Sequence, residues 1–311
     1  MKLRIILAFV AVAAIAGCGE SSTADGVAAD DRRVTVVATT TMIADLAKRI
    51  AGDDATVVGL MKPGEDPHTY EVRPRDAQAI AEADVVLMNG LQLEATLDRI
   101  AQNNTRPGAL LVRLAEHPDI QPLGKLDDAG QVTGAPDPHC WFDVAYFRIY
   151  AQGVRDALIR ADPDHAEGYG ARTAEYLAQL DELDVWVRQQ LETVPRERRV
   201  LVTSHDAFGY YGRAYGVDVF AVIGMSTEQQ PRPRDVEELE RQVRERGVRA
   251  LFIETSVSST LNDLVRKVAD ATGARVGGTL YSDSLGDADS PAATYLDMIR
   301  HNTTTIVEAL R

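Results

Sequence analysis

The sequence predicts an α/β fold of two similar lobes, each with a parallel-type sheet flanked by helices, joined by one long backbone helix. Strand-like and helix-like segments alternate in both halves of the chain, which is typical of parallel sheets with covering helices. A helix opens with Pro-Arg-Asp at a corresponding place in each half, at Pro74 and at Pro233. The length of 311 residues also favours two cores, because single cores stop growing at about 250–300 residues.

The strands of the first half are predicted from short runs rich in valine, isoleucine and threonine, and its helices from apolar residues three and four apart. One helix is predicted at residues 42–51, directly after the first strand, and Gly52 ends it. Another begins at Pro74, because proline is favoured in a first helical turn. The predicted strands are residues 33–39, 56–61, 84–88 and 109–114.

The second half repeats this order of elements. A helix is predicted at residues 207–215, directly after the first strand of this half, and another begins at Pro233. The repetition indicates a second sheet built in the same way as the first. The predicted strands are residues 199–203, 217–223, 248–253 and 274–281.

A single amphipathic helix is predicted between the halves, at residues 164–194. Its length at about 1.5 Å per residue is ~45 Å, too long for one small lobe, so we expect it to join the two. Two shorter helices with a break are the alternative. The predicted organisation is therefore an N-terminal lobe at 33–163, this linking helix, and a C-terminal lobe at 195–311. The apolar residues that define the helix are Tyr176, Leu177, Leu180, Leu183, Val187 and Leu191.

The N-terminus has the features of a secretory signal. Lys2 and Arg4 precede an apolar run that is too short to span a bilayer, and small residues lead to Cys18. This order resembles the lipobox of bacterial lipoproteins, in which the cysteine becomes the lipidated first residue. It predicts a signal peptide at 1–17 and a lipidated Cys18 with a flexible tether at 18–32. A plain signal peptide cleaved nearby is the alternative.

An exported, lipid-anchored protein would lie at the outer face of the bacterial cytoplasmic membrane or in the periplasm. The chain has two cysteines, so if Cys18 is acylated, Cys140 has no partner and no disulfide framework is available. The fold must then be stabilised by its cores.

The composition excludes several classes of protein. Hydrophobic residues make up 45% and charged residues 26% of the chain. These values exclude a disordered chain and a polytopic membrane protein. With 47 acidic and 33 basic residues the formal net charge is −14, whereas a general nucleic-acid binder needs a basic surface. Nucleic acid is therefore not an expected partner.

Four side chains are candidate metal ligands, because each lies in a loop next to a predicted strand or helix. They are His68, His139, His205 and Asp283. In open α/β sheets, ligands bind outside the carboxyl ends of the strands. Imidazole and carboxylate without thiolate favour Zn²⁺ or Mn²⁺ over Cu⁺ or an iron–sulfur cluster.

The other cysteine, glutamate and histidine residues considered are not expected to be metal ligands. Cys140 is expected to be a small buried filler, since adjacent residues in an extended segment point to opposite sides. Glu254 could replace His205 as a ligand, but we expect it to orient a ligand instead. The remaining histidines have polar surroundings and are expected at the surface: His117, His165 and His301.

Taken together, these motifs resemble the TroA-like group, the metal-binding solute-binding proteins of bacterial ABC importers for zinc and manganese. The resemblance covers about residues 34–310, essentially the whole chain after the tether. The motifs that carry it are Ala38-Thr39-Thr40-Thr41-Met42-Ile43-Ala44-Asp45, Asp66-Pro67-His68, Asn89-Gly90-Leu91, Asp137-Pro138-His139, His205-Asp206-Ala207-Phe208-Gly209-Tyr210, Phe252-Ile253-Glu254, Tyr281-Ser282-Asp283-Ser284-Leu285-Gly286 and Tyr295.

The resemblance implies one divalent metal ion buried between the lobes and delivered to an ABC importer permease in the membrane. His68 and His139 would come from the first lobe, and His205 and Asp283 from the second. A monomeric binding protein is expected, not an enzyme. Zinc-dedicated members often carry a long His-rich acidic loop in the first lobe, but residues 113–137 contain one histidine, His117.

Two other functions fit part of the pattern. A secreted zinc-dependent hydrolase could use the same His/Asp site, with Glu254 or Asp206 as the general base. Cell adhesion is a label that members of the TroA-like group have sometimes received. In this sequence, only the expected surface location supports it.

Overall fold

A computed structural model describes residues 33–126 and 132–311. The predicted signal peptide at 1–17 and the lipidated Cys18 with its tether at 18–32 lie outside the described residues. Among the helices of the described segments, none combines the length and the apolar character needed to cross a membrane.

A four-stranded parallel sheet forms the first half, in the order β2-β1-β3-β4. All four predicted strands are present, with ends shifted by one or two residues. β3 is completely buried, so its run of apolar residues does not alternate with polar ones. The strands are β1 (Val34–Ala38), β2 (Ala55–Gly59), β3 (Val85–Met88) and β4 (Leu110–Arg113).

Four helices accompany this sheet: α1 (Thr41–Ala51), α2 (Pro74–Glu82), α3 (Ala95–Asn104) and α4 (Val144–Ala161). The Thr40 side chain accepts a hydrogen bond from the Ile43 amide at the start of α1, and Gly52 ends this helix with φ of 55°. Between α3 and α4, two short strands pair antiparallel, β5 (Lys125–Leu126) and β6 (Val132–Thr133).

The second half contains two parallel strand pairs, β7 (Val200–His205) with β8 (Asp218–Ile223), and β9 (Ala250–Glu254) with β10 (Arg275–Leu280). β7 lies beside β9, so the four strands share one layer. The predicted parallel arrangement is therefore confirmed in both halves. The helices that follow are α6 (Gly209–Tyr215), α7 (Pro233–Glu245), α8 (Ser259–Thr272) and α9 (Tyr295–Leu310).

The repeated Pro-Arg-Asp motif forms the same helix start in both halves. Proline occupies the first turn of α2 and of α7, and the aspartate two residues later accepts a hydrogen bond from the backbone amide just before the proline. The Arg73 amide donates to Asp76 over 2.8 Å, and the Arg232 amide donates to Asp235 over 3.3 Å.

The long helix is continuous from Ala166 to Glu192 (here α5), after a 3₁₀ turn at Pro163–His165. Its 27 residues contradict the alternative of two shorter helices. At about 1.5 Å per residue it spans ~40 Å, and it packs against α1 and α4 of the first half and α6 and α9 of the second. Its buried residues belong to a core that includes residues from both halves.

Candidate metal centre

Four side chains from separate loops and strand ends meet at one point. His68 lies in the loop between β2 and α2, and His139 precedes the 3₁₀ turn at Cys140–Phe142. His205 is the last residue of β7, and Asp283 follows β10. One ligand atom from each of the four lies within 4.8 Å of the others. The structure thus brings all four predicted residues together, and all except the partly exposed His68 are buried.

The spacing of the donor atoms suits a small metal ion. The Nε2 atoms of His68 and His139 are 3.3 Å apart. The Asp283 carboxylate lies 3.1 Å from His205 Nε2 and 3.5 Å from His139 Nε2. A tetrahedral ion with metal–nitrogen bonds of ~2.0–2.1 Å separates its donors by ~3.3–3.4 Å. These three donor–donor distances are therefore close to those around a bound ion, and all four donor atoms lie within 4.8 Å of one another.

The two Asp-Pro-His motifs form matching turns. In each motif the aspartate accepts a hydrogen bond from the histidine backbone amide over 2.9 Å, from His68 to Asp66 and from His139 to Asp137. Asp137 also lies 2.7 Å from Nδ1 of the His139 ring. A carboxylate at Nδ1 fixes the ring orientation and leaves Nε2 to face the other donors. The sequence contains this signal as an aspartate two residues before each histidine, but its role is clear only from the structure.

Glu254 holds His205 in place. One oxygen of this buried carboxylate accepts hydrogen bonds from the backbone amides of Ser204 and His205 over 2.7 and 2.9 Å. The other oxygen is 2.7 Å from His205 Nδ1. Glu254 is not among the four converging residues. Its position at the end of β9, next to β7, places this carboxylate against the His205 ring.

Asp283 is positioned by its neighbours in the chain. Its backbone amide donates to the Ser256 hydroxyl over 3.2 Å, and the carbonyl of Ser282 accepts a hydrogen bond from the Trp141 indole over 3.1 Å. Outside the His–Asp cluster, neither Asp283 carboxylate oxygen has a hydrogen-bond donor within the described segments. A buried anion in this situation needs a cation to compensate its lost hydration.

The pKa values of His68, His205 and Asp283 are shifted in different directions. Burial lowers the pKa of His68 to about 3, so this ring is neutral at pH 7. Burial also lowers the pKa of His205, but the Asp283 and Glu254 carboxylates outweigh it and hold this pKa well above the usual value. Burial raises the pKa of Asp283, yet the neighbouring histidines, His205 first, hold it well below the usual range.

Contacts between the two halves surround the site. The Gly64 amide donates to the Ser284 hydroxyl over 2.8 Å, and the hydroxyls of Thr41 and Ser284 are 3.3 Å apart. Thr227 donates to Asp66 over 2.6 Å. None of these pairs was predicted from the sequence, because each joins residues more than 150 positions apart.

The other cysteine and histidines of the described segments are not among the four converging residues. Cys140 is completely buried, as predicted, and burial raises the pKa of its thiol to about 12. His117 and His165 are exposed, as predicted. His301 is half-buried rather than fully exposed, because its ring packs against Tyr281.

Comparison with known proteins identifies the family. The family model described as zinc-uptake complex component A, periplasmic (ZnuA), matches residues 36–309. The chain belongs to this family.

Its relatives cover nearly the full chain. It is 38% identical over 285 residues to the zinc-binding protein TroA of Treponema pallidum (strain Nichols), which is 91% of each chain. It is 36% identical over 302 residues to the manganese-binding lipoprotein MntA of Bacillus subtilis (strain 168), 96% of this chain and 95% of the relative. The solved structure of periplasmic TroA from Treponema pallidum superposes with a TM-score of 0.83 at 39% identity, over 90% of this chain and 99% of that one.

Membership of the ZnuA family agrees with the fold and function classes expected from the sequence. The family description and the names of these relatives refer to metal binding and uptake, not to catalysis. They give no support to the hydrolase alternative.

Proposed function

We propose that this protein captures one divalent transition metal ion, Zn²⁺ or Mn²⁺, and delivers it to the permease of an ABC importer. The ligands are His68, His139, His205 and Asp283, held between an N-terminal and a C-terminal lobe. The observation that carries this proposal is the ~3.3 Å spacing of the facing donor atoms, which suits coordination of a single ion.

A transport site fits this donor set better than a hydrolytic one. Catalytic zinc sites use three protein ligands and keep a fourth position for water. Here a fourth protein donor, Asp283, faces the histidines, and the Glu254 carboxylate is engaged with His205 and two backbone amides. That fills the position that a catalytic water would occupy and engages Glu254, one of the two candidate bases.

The choice between the two metals depends on both affinity and supply. An N₃O donor set with a carboxylate accepts either ion, but the Irving–Williams order places Zn²⁺ above Mn²⁺. Zn²⁺ therefore binds more tightly in vitro, whichever metal the cell imports.

The experiment is a metal titration of the full chain, purified free of metal. One ion per chain is expected, with Zn²⁺ displacing Mn²⁺ in competition. His139→Ala and Asp283→Ala should each abolish tight binding, whereas His165→Ala, which changes an exposed histidine outside the cluster, should bind as the parent does. A stoichiometry of two, or full binding by Asp283→Ala, would contradict the proposed site.

The protein is held at the outer face of the cytoplasmic membrane or in the periplasm by a lipid on Cys18, as a monomer. An anchor keeps a loaded carrier close to its permease. Replacing Cys18 with Ser should release the protein from membranes washed with about 0.5 M NaCl, where charge contacts with lipid are screened, without changing its metal affinity. Partitioning of Cys18→Ser with the washed membranes would contradict the anchor but not the metal site.

A further inference from the structure

Seven arginines gather at the amino ends of the second-half strands, a group called here the arginine edge. Each precedes or begins a strand, directly follows α7 or α9, or belongs to the 3₁₀ turn before β7. Two acidic residues share this region, Glu197 and Asp218, which leaves a net charge of 7 − 2 = +5 among the nine residues. The members of the edge are Arg196, Arg198, Arg199, Arg246, Arg249, Arg275 and Arg311.

Most of this positive charge is not compensated by carboxylates. Within residues 33–126 and 132–311, one side-chain carboxylate pairs with the edge: Asp218 binds both Arg196 and Arg246 over 3.0 Å. Four other arginines donate to main-chain oxygens or to a hydroxyl. The exposed guanidinium of Arg249 makes no ion pair or hydrogen bond in the described part of the chain.

A cavity of about 240 Å³ opens within the arginine edge. Arg198, Arg246 and Arg249 line it together with Glu197, and its apolar walls come from Val200, Val248 and Leu310. Cationic and apolar groups side by side suit an anion attached to a hydrocarbon, such as a phospholipid headgroup with its glycerol backbone.

The residues directly before the strands differ in charge between the two halves. Before the first-half strands they are Arg33, Asp54, Asp84 and Ala109, with a net charge of 1 − 2 = −1, and before the second-half strands they are Arg199, Val217, Arg249 and Ala274, with a net charge of +2. The chain as a whole has a net charge of −14, so an anionic membrane repels it unless a basic surface is turned toward the lipid.

We propose that the arginine edge docks on the anionic phospholipid surface to which the protein is tethered. The biological setting rests on the proposed anchor, but the surface itself does not depend on it. His205 ends β7 and Arg199 precedes it, so about six residues, ~20 Å of strand, separate the metal site from the edge. Docking of this edge places the site on the side of the second half that faces away from the lipid.

The test uses the full chain with Cys18→Ser, so that no acyl chain contributes to binding. Co-sedimentation is measured with vesicles containing phosphatidylglycerol and with vesicles of phosphatidylcholine alone. We expect binding to the anionic vesicles that disappears at about 0.5 M NaCl, where charge is screened within a few ångströms. Arg198→Gln with Arg249→Gln should weaken this binding by about tenfold or more, since each arginine near an anionic surface contributes separately.

The matched control removes two exposed arginines elsewhere, Arg99→Gln with Arg160→Gln, and should bind anionic vesicles as the parent does. Equal losses in both double variants would mean that only net charge matters, and would overturn the proposal. So would equal binding of the parent to both kinds of vesicle. Selective displacement by inorganic phosphate at matched ionic strength would identify a site for dissolved phosphate instead of lipid.

Thermal melting and metal titration of the same variants separate the possible failures. Unchanged melting shows that a loss of lipid binding does not come from unfolding. Unchanged metal affinity is expected because neither arginine lies near the four donors. Absence of metal binding by the parent protein would contradict the proposed function. The lipid measurements would still test the arginine edge independently.

Discussion

The histidines of the candidate site hold protons differently although they face the same point. Burial keeps His68 neutral, with a pKa of about 3, so it needs no deprotonation before it binds a metal. His205 lies between two carboxylates, Asp283 and Glu254, which hold its pKa well above 6.5 against the opposing effect of burial. In the metal-free protein at pH 7, His205 therefore keeps a proton that a metal ion must displace.

We predict the release of about one proton for each metal ion bound at pH 7, and an affinity that falls as the pH drops. The sign follows from the raised pKa of His205, since protonated imidazole cannot coordinate. Calorimetric titrations in two buffers with different ionisation enthalpies measure the proton count. Binding enthalpies that do not depend on the buffer would show that His205 is already neutral.

Glu254 offers a test of orientation at a residue that does not face the metal. Glu254→Gln keeps the shape and the backbone contacts but removes the charge beside His205 Nδ1. We expect metal affinity to fall about 10- to 100-fold, as for other groups that orient metal-binding histidines. Because the raised pKa of His205 depends partly on Glu254, the number of protons released should fall as well.

The control for this variant is Glu237→Gln, an exposed carboxylate on α7. It should leave both affinity and proton release unchanged. If Glu254→Gln binds metal as tightly as the parent, the Glu254 contact contributes only to folding.

The candidate ligands could be found from the sequence because each follows a recognisable element or motif. His205 and Asp283 come at the ends of strands, and His68 and His139 occur in Asp-Pro-His. The contacts around these ligands could not be found in the same way. The contacts of Ser284 with Thr41 and Gly64 join positions more than 200 residues apart, and one sequence holds no periodic signal for such pairs.

At the scale of elements, the strands were predicted well because all eight are rich in β-branched residues or are bounded by polar and turn residues. Four helices were not predicted: α3, α4, α8 and α9. The start of α4 is its capping residue Asp143, which directly follows an aromatic turn at Cys140–Phe142. The long helix was predicted because its apolar residues recur without interruption by Gly or Pro after Gly170.

The long helix contains a matched pair of valines that tests what holds it in place. Val187 of α5 is completely buried, whereas Val185 on the same helix is 53% exposed. Val187→Ala should lower the free energy of unfolding by roughly 2 kcal/mol, from two buried carbon groups and the cavity that they leave. Val185→Ala should change it by less than about 0.5 kcal/mol.

Urea unfolding of both variants measures the difference. Both substitutions replace the same residue type in the same helix, so helix propensity cancels between them. Equal effects would show that packing of α5 into the shared core does not stabilise the protein.

At the scale of the whole described region, the two halves are joined through buried contacts as well as through α5. The Trp141 indole donates to the Ser282 carbonyl, and the Tyr295 hydroxyl donates to the Trp141 carbonyl over 2.6 Å. The Tyr295 ring stacks on Phe147 with centroids 3.5 Å apart, and its backbone amide donates to Asp45 over 3.0 Å. Large rotation of one half against the other would break this buried network.

We therefore predict that metal binding changes the order of loops rather than the separation of the lobes. Removal of the metal breaks the bonds that join the loops of His68, His139 and Asp283, and the proton on His205 compensates the Asp283 carboxylate only in part. The loops around Asp283 and Thr227 should therefore loosen. Small-angle scattering of the metal-free and metal-loaded protein should give the same radius of gyration within error. Hydrogen exchange should quicken in these loops on metal removal and stay unchanged in α5. A clear increase in radius of gyration would mean that the network around Tyr295 opens, and that α5 bends or slides to allow it.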